Sequence, residues 1–285
     1  MRPVDIGSDA ADLLGVAGAG RVLAVFARAL YLKLPGGLVA LTTTDAPRGP
    51  LHIRVGALPA ARPGQRVLVD ATGLRIADRR YTRDAPTWFP RLPSAAALAP
   101  AREAARHWLP DQGPPLDLRA TEPAELPAVA LEALRRGALA DLAAALGGRG
   151  PGLTPAGDDV LAGVLLVAVA ARSAAPATLL RCVRRTATND VARAFLACAA
   201  RGRCIEPAHD LLAGLARADR SAVTSALAGV HRFGSSSGAA LAYGIRMALL
   251  ELPRASARAS AGRPASTAGL DNATAYPRIV NRSVG

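Results

Sequence analysis

One run constrains this chain more than any other: Gly147-Gly148-Arg149-Gly150-Pro151-Gly152-Leu153-Thr154-Pro155-Ala156-Gly157-Asp158-Asp159, followed at once by the apolar segment Val160 to Ala171. Four glycines in six residues remove the Cβ atoms that keep a ligand from the backbone, and they permit the positive φ angles that aim several N–H groups at one point. Thr154 has the chemistry of a helix N-cap, Pro155 suits a first helical position whose N–H is orphaned anyway, and the apolar run supplies the helix body. The loop is therefore expected to end on a helix N-terminus, where free N–H groups and the positive end of the helix dipole favour phosphate or carboxylate. Asp158 and Asp159 in the first turn would repel a bare anion. A divalent cation between them reconciles the two, because Mg²⁺ takes one or two carboxylates plus substrate oxygens, and a metal-bridged phosphate is the sharper expectation. The structural alternative is that the glycines build a tight connection and the aspartates charge the start of a buried helix. No Gly-Lys-Ser/Thr follows the loop, and the helical pattern Leu131 to Leu146 rather than a strand precedes it, which excludes a Walker A loop and a dinucleotide fingerprint.

A second glycine-serine stretch, Phe233-Gly234-Ser235-Ser236-Ser237-Gly238-Ala239, repeats the theme. Ser235, Ser236 and Ser237 offer capping hydroxyls and Gly238 a close backbone approach, ahead of a helix expected over Ala239 to Leu252. This is another helix N-terminus, suited to an oxygen-rich group, although simple capping accounts for it equally well. His231 is placed to orient the triplet or to sit on the surface.

Together these stretches resemble a known bacterial family. Gly150 to Asp159, continuing to Leu161-Ala162-Gly163, is similar to the signature of the family of the AllH-type subunit of oxamate carbamoyltransferase. The second stretch, through Gly244-Ile245, is similar to that family's other glycine-serine motif. There the family usually has Gly-His-Thr/Ser-Ser-Gly, often with an Asp two residues beyond the last Gly; this chain has Ser235 in the His place and Ala240 in the Asp place. The resemblance spans about residues 18 to 252, weakly over the first hundred and strongly at the two motifs. It implies a subunit that works with companion subunits in carbamoyl transfer between carbamoyl phosphate and oxamate, giving oxalurate and phosphate, in purine and allantoin nitrogen catabolism. In that scheme Gly150, Gly152, Thr154 and Gly157 hold phosphate oxygens. Asp158 and Asp159 hold Mg²⁺ and serve catalysis, and Ser235, Ser236, Ser237 and Gly238 hold a second oxygen-rich group. Two rival readings remain, a non-catalytic scaffolding or metabolite-binding subunit and a free-standing Mg²⁺-dependent hydrolase.

The net charge of +13 invites a nucleic-acid reading, yet Lys33 is the only lysine among 35 basic residues and aromatics make up 4%. The arginines are scattered with acids between them, so no basic stripe or recognition module is visible, and a small anionic substrate draws on the same positive field. Cys182, Cys198 and Cys204 lack metal-site spacing and are odd in number, which points to a reducing compartment and core thiols. The N-terminal segment has no signal-peptide layout and Val160 to Ala171 is too short to span a bilayer, so a cytoplasmic protein is expected.

Along the chain the hydrophobic period changes once. Arg21 to Phe26, Ala29 to Leu34, Leu38 to Thr43, Leu51 to Val55, Arg66 to Asp70 and Leu74 to Ala77 are short β-prone runs separated by Pro and Gly, after a short helical pattern near Ala10 to Val16. From Val129 onward the period is helical, beginning with the stripe Leu131, Leu134, Leu139, Leu142 and Leu146. The expected fold class is α+β: a β-rich N-terminal domain over residues 1–85, built as a small antiparallel sheet or barrel, and a helical domain over 126–252 that carries both glycine loops. Residues 86–125 form a connector with one possible helix, Ser94 to Leu109, in which Trp88 and Trp108 seal a seam. Thr186, Thr188 and Asn189 either cap a helix or line a polar pocket. The tail, 253–285, is rich in Ala, Ser, Arg and Gly and is expected to be disordered.

Overall fold

Leucine-rich and β-branched runs closed by tight turns make the first third of the chain a sheet. In a computed structural model, which describes residues 1–114, 116 and 126–253, the strands are β1 (Asp5–Gly7), β2 (Gly18–Phe26), β3 (Ala29–Leu34), β4 (Gly37–Thr43), β5 (His52–Val55), β6 (Arg66–Asp70), β7 (Gly73–Ile76), β8 (Arg79–Tyr81) and β9 (Thr87–Trp88). They form one curled, half-barrel sheet in the order β8-β7-β6-β2-β3-β4-β5-β1-β9. Two-residue turns set the hairpin registers, with Phe26 opposite Ala29 and Asp70 opposite Gly73. Gly73 holds φ +133°, and a Cβ there would lie 2.0 Å from the Tyr81 carbonyl oxygen, so glycine is required twice over.

The α+β class holds, while the sheet is larger than expected and mixed. β5 runs parallel to β4, with Ala40 opposite His52, and β9 runs parallel to β1. The reason lies in the connection: residues 44–51 contain Pro47 and Pro50 and are too long for a hairpin turn, so the chain crosses back before pairing. β1, β8 and β9 are two or three residues long, too short for an alternating pattern to mark them.

Alternation decides which side chains line the curl. In β3, Leu30, Leu32 and Leu34 point into it with Val22, Val39, Leu41, Ile53, Val67, Val69, Leu74 and Ile76, while Ala29, Tyr31 and Lys33 face outward. Helix α1 (Ser8–Leu13) adds Ala10 to this inner core, and Leu14 joins it just beyond the helix end.

The other helices are α2 (Leu98–Trp108), α3 (Ala128–Arg135), α4 (Leu139–Leu146), α5 (Ala156–Ala170), α6 (Pro176–Arg185), α7 (Asp190–Ala199), α8 (Glu206–Ala216), α9 (Arg220–His231) and α10 (Ser237–Glu251). The leucine stripe from Leu131 to Leu146 is thus two helices, not one. Gly137, at φ +69°, ends the first of them, with Gly137 N–H donating to Leu134 O and Ala138 N–H to Ala133 O, both at 2.9 Å. Helix α5 is buried on nearly every face and packs along α10. Gly163 and Gly244 set that approach: a Cβ on Gly163 would lie 2.4 Å from Leu241 O, and one on Gly244 2.1 Å from Val160 O.

Sheet and helices share a seam. The outward side of β3 and β4 meets α7 through Tyr31, Leu38, Val191, Phe195 and Cys198. Lys33 pairs with Asp190 at 3.4 Å, Arg48 bridges Asp5 (3.3 Å) and Glu206 (2.9 Å), and Asp9 accepts from Arg201 (2.7 Å) and Arg203 (3.0 Å). Asp5 and Asp9 have side chains only 9% exposed, and their arginines compensate for that burial. Trp88 lies edge-on to His209, 6.2 Å away, and Trp108 packs against the helical core. The expected tail from Pro253 onward, apart from Pro253 itself, lies outside the described residues.

Candidate functional site

The first glycine loop leaves α4 at Leu146 and re-enters helix at Ala156. Gly148, Gly150 and Gly152 all adopt positive φ (+71°, +106° and +90°), as the sequence requires of a loop that doubles back this tightly. Gly157 closes it: its N–H donates to Arg149 O at 2.8 Å, and a Cβ there would meet Leu146 O at 2.1 Å. The capping expectation needs correction. Pro155, in extended conformation, is the N-cap, and no side chain caps α5. Pro155 O instead accepts from the N–H groups of Asp158 (2.9 Å) and Asp159 (3.1 Å). Freed from capping, the Thr154 hydroxyl turns elsewhere.

It turns to the second loop. Thr154 Oγ1 and Ser237 Oγ are 2.9 Å apart, across 83 positions of sequence, so the N-termini of α5 and α10 meet. Helix α10 begins at Ser237 after an N-cap, Ser236, whose side chain makes no capping bond. Ser237 and Gly238 are buried, Ser236 is half-buried, and Ser235 and His231 are exposed. Gly238 is fixed by contact, since a Cβ would lie 1.8 Å from Val230 O. Among the described residues, the N–H groups of Gly152, Leu153 and Thr154 in the first loop, and of Ser235 and Ser236 in the second, have no partner in the protein. Two sets of free donors therefore flank one hydroxyl contact, an arrangement that suits an oxyanion.

The adjacent carboxylates have separate surroundings. Asp158 is buried and turned back into its own loop, where Oδ1 accepts from Gly148 N–H (3.0 Å) and Oδ2 from the Thr188 hydroxyl (2.5 Å). Burial pushes its carboxyl above the usual carboxylate range, while Thr188, Gly148 and Arg193 pull it back. Asp159 lies beside Ser237 instead. Burial holds its carboxyl well above the usual range; the Ser237 hydroxyl opposes that and the Asp158 charge adds to it. Asp159 Oδ2 is out of contact with water and has no hydrogen-bond partner. Of the two side chains, Asp158 is spent on bracing the loop and Asp159 retains an unused oxygen.

This bears on the Mg²⁺ expectation. The two carboxylates have disjoint partners, and among the described residues no group of three or more His, Cys, Asp or Glu side chains is arranged as a ligand set. Asp159 Oδ2 is the oxygen of the pair that is left for a cation or for a donor on a ligand.

Thr188 and Asn189 divide the roles anticipated for them. Asn189 Oδ1 caps α7 by accepting from Val191 N–H (2.9 Å) and Ala192 N–H (3.0 Å), while its Nδ2 donates to Leu153 O (3.0 Å), pinning the glycine loop. Thr188 serves Asp158. Arg193 gathers the carbonyls of Val183, Arg184, Thr186 and Thr188 and so fixes the segment that carries both.

The surroundings add residues that sequence reasoning did not place at the site. Tyr31, on the outward side of β3, has its phenol pushed up to about 12, first by burial and then by the Asp159 charge. Leu153 of the glycine loop belongs to the same apolar cluster as Tyr31 and Phe195. Cys204, whose thiol is pushed up to about 12 chiefly by burial, also feels Asp159. His52 of β5 is buried, with its ring 6.3 Å from both Phe195 and Phe233, next to the second loop. None of these carries a local signal; only the alternation of β3 hints that Tyr31 faces away from the inner core. A separate cavity of about 290 Å³ between α1, β4 and α7 is lined by Asp9, Asp12, Leu38, Cys198 and Arg201, none of them an expected site residue.

Residues 146–249 match the model of the family described as oxamate carbamoyltransferase subunit AllH. The AllH match begins at the last residue of α4 and ends within α10, so both loops, the Asp158–Asp159 pair and the Thr154–Ser237 contact fall inside it. The sheet, with Tyr31 and His52, falls outside. Searches of curated proteins and of solved structures gave no match. No helix among the described residues is long and apolar enough to cross a membrane.

Proposed function

We propose that the protein is a subunit of an oxamate carbamoyltransferase-like enzyme, and that the junction of its two glycine loops holds a phosphate-type anion, carbamoyl phosphate in the forward direction. The observation that carries this reading is the 2.9 Å contact between Thr154 and Ser237, which joins two helix N-termini inside the segment that matches the AllH family. The unpartnered N–H groups of Gly152, Leu153, Thr154, Ser235 and Ser236 supply donors for phosphate oxygens, and Gly150 and Gly157 shape the loop that presents them. The contribution to rate is positioning and electrostatic stabilisation of the departing phosphate. Transfer of a carbamoyl group to oxamate, a place in allantoin nitrogen catabolism and the companion subunits are all part of the proposal. Mg²⁺, when bound, would supply charge neutralisation at Asp159.

The scaffolding alternative is favoured by one observation: the Asp158 carboxylate is consumed by Gly148 and Thr188. A thermal-shift titration of the purified chain with carbamoyl phosphate, with and without Mg²⁺, separates the readings. Ligand at a hundred times its dissociation constant stabilises by about 2.7 kcal/mol. The transferase reading expects saturable stabilisation that Gly152→Asp, which puts a negative charge among the loop donors, abolishes. Absence of any shift in the chain and in its complex with companion subunits would leave the scaffold.

A further inference from the structure

The outer face of the sheet is covered on one side only. Helix α7 packs on the outward side of β3 and β4, while that of β6, β7 and the first half of β2 is open to solvent. Alternation sends Val22, Val67 and Leu74 into the curl, so their neighbours Arg21, Arg66 and Arg75 point the other way, and all three are exposed. Register gathers them. Arg21 stands directly opposite Arg66, and Arg75 stands opposite Leu68, one diagonal step from Arg66. Facing residues on one side of an antiparallel pair have Cβ atoms about 5 Å apart and diagonal ones about 7–8 Å, within reach of long side chains. Other basic residues of the strands are relieved by carboxylates: Lys33, opposite Arg21 on β3, by Asp190, Arg54 by Asp5, and Arg80 by Asp70. Among the described residues, no carboxylate lies within ion-pair distance of Arg21, Arg66 or Arg75.

Like charges directly opposite each other destabilise a sheet, and a counter-charge placed among them removes the penalty. A hollow of about 320 Å³ lies where such a charge would sit, lined by Gln65, Arg66, Val67, Leu68, Arg75 and Ala77. Gln65 adds a donor: its side-chain oxygen accepts from Arg62 N–H at 3.1 Å, which leaves the amide nitrogen for a ligand. A singly charged group cannot balance three guanidinium groups, so the fitting anion carries two or more charges. The hollow is at the lower end of ligand-pocket sizes, about 300–1,000 Å³, and without an aromatic ring in its lining it offers no platform for a nucleic-acid base. The chain does not supply the anion itself. Residues 254–285 set Arg254, Arg258, Arg263, Arg278 and Arg282 against Asp271 alone, and a second copy of this face would oppose arginine to arginine. We propose that the outer face of β2, β6 and β7 is a second anion site, where Arg21, Arg66, Arg75 and Gln65 bind a small molecule bearing two or more carboxylate or phosphate groups. Its hollow shares no lining residue with the glycine loops, and the inference does not rest on what those loops hold.

Citrate and tripolyphosphate present the two chemistries as small multivalent anions, and acetate is the singly charged control. Calorimetric titration of the full chain and of Gly152→Asp, in which the glycine loop is blocked, separates the two sites. Citrate, tripolyphosphate or both should bind one-to-one in parent and Gly152→Asp alike, with acetate at least about tenfold weaker, and the anion that binds identifies the chemistry. Arg66→Gln and Arg75→Gln should each weaken binding about tenfold, the loss of one charge-assisted contact. Without ligand both variants should be no less stable than the parent, because each removes a like charge, so the lost affinity is not lost folding. Binding that disappears in Gly152→Asp and survives in the arginine variants belongs to the glycine loop and overturns the inference. Binding indifferent to every variant marks an adventitious ion only and overturns it as well. So does binding of poly-glutamate through these arginines while neither small anion binds, which would make the face a docking surface for an acidic chain.

Discussion

The two glycine loops are built alike and held differently. Both end at the N-terminus of a buried helix, and the two helices, α5 and α10, are packed together through glycines. The first loop is tied down by side chains: Asp158 on Gly148, Thr188 on Asp158, and Asn189 on Leu153. The second has no such ties. Ser235 is exposed, Ser236 makes no cap, and Ser237 is engaged with the first loop through Thr154. A loop whose shape is set by its own braces can present N–H groups before a ligand arrives, which lowers the ordering cost of binding. A loop fixed mainly by backbone contact at Gly238 keeps its hydroxyls for something else.

Side chains added to the glycines should break the comparison most severely. Gly238→Ala forces a Cβ to within 1.8 Å of Val230 O, which belongs to backbone and cannot swing aside, so a loss of about 3 kcal/mol is expected in denaturant unfolding. Gly152→Ala provides the contrast. Nothing lies within 4 Å of a Cβ there, and only its φ of +90° resists substitution, so the cost should be about 1 kcal/mol. A Gly238→Ala protein as stable as the parent would mean that α9 and α10 approach less closely than described.

The aspartates come next, with opposite signs expected. Asp158→Ala strands the Gly148 N–H and the Thr188 hydroxyl and should cost about 2 kcal/mol. Asp159→Asn should instead stabilise the protein near pH 7, by about 1 kcal/mol, because it removes a carboxylate that burial disfavours. The pH dependence follows in sign. The folded carboxyl holds its proton to higher pH than the unfolded one, so as pH rises above the ordinary carboxylate value the unfolded chain ionises first and gains relative to the folded state. The parent therefore loses stability on that rise, and the advantage of Asp159→Asn should shrink as pH falls toward 4. Unfolding curves at pH 4 and 7 on parent and variant check both statements; destabilisation by Asp159→Asn at both would show that Ser237 contributes more than burial costs.

Much of this was legible in the sequence for identifiable reasons. The glycine run announced both its positive-φ turns and the helix that follows, because few other purposes justify four glycines in six residues. The β2 to β7 runs were readable as short β-prone stretches between Pro and Gly breaks. What could not be read was direction and distance. Adjacent aspartates on a helix differ by about 100° in azimuth, so Asp158 and Asp159 were never destined to share one partner, yet sequence gives no hint which faces in. The Thr154 hydroxyl was expected to cap α5, and its actual partner lies 83 residues away, where only tertiary packing could place it. Tyr31 escaped notice because an outward residue of a strand carries no mark of the helix that will cover it. The break at Gly137 was missed because leucines on either side keep the helical period in phase across it.

The smallest expected effect tests the junction itself. If Thr154 and Ser237 bind each other, their removal should not be additive: Thr154→Val and Ser237→Ala should each destabilise, and the double variant should cost less than their sum by about 0.5–1 kcal/mol. The cycle has a further use, because Ser237 also reaches Asp159. Repeated in the Asp159→Asn background, the coupling between Thr154 and Ser237 should change if the three groups form one chain of hydrogen bonds, since the carboxyl then sets which way the Ser237 hydroxyl points. Coupling that is absent from the first cycle would separate the two loops energetically, and the braced loop would then have to hold any ligand alone. Coupling that is present but indifferent to Asp159 would keep the junction and remove the carboxyl from it, leaving its buried oxygen to be explained by the α5–α10 packing.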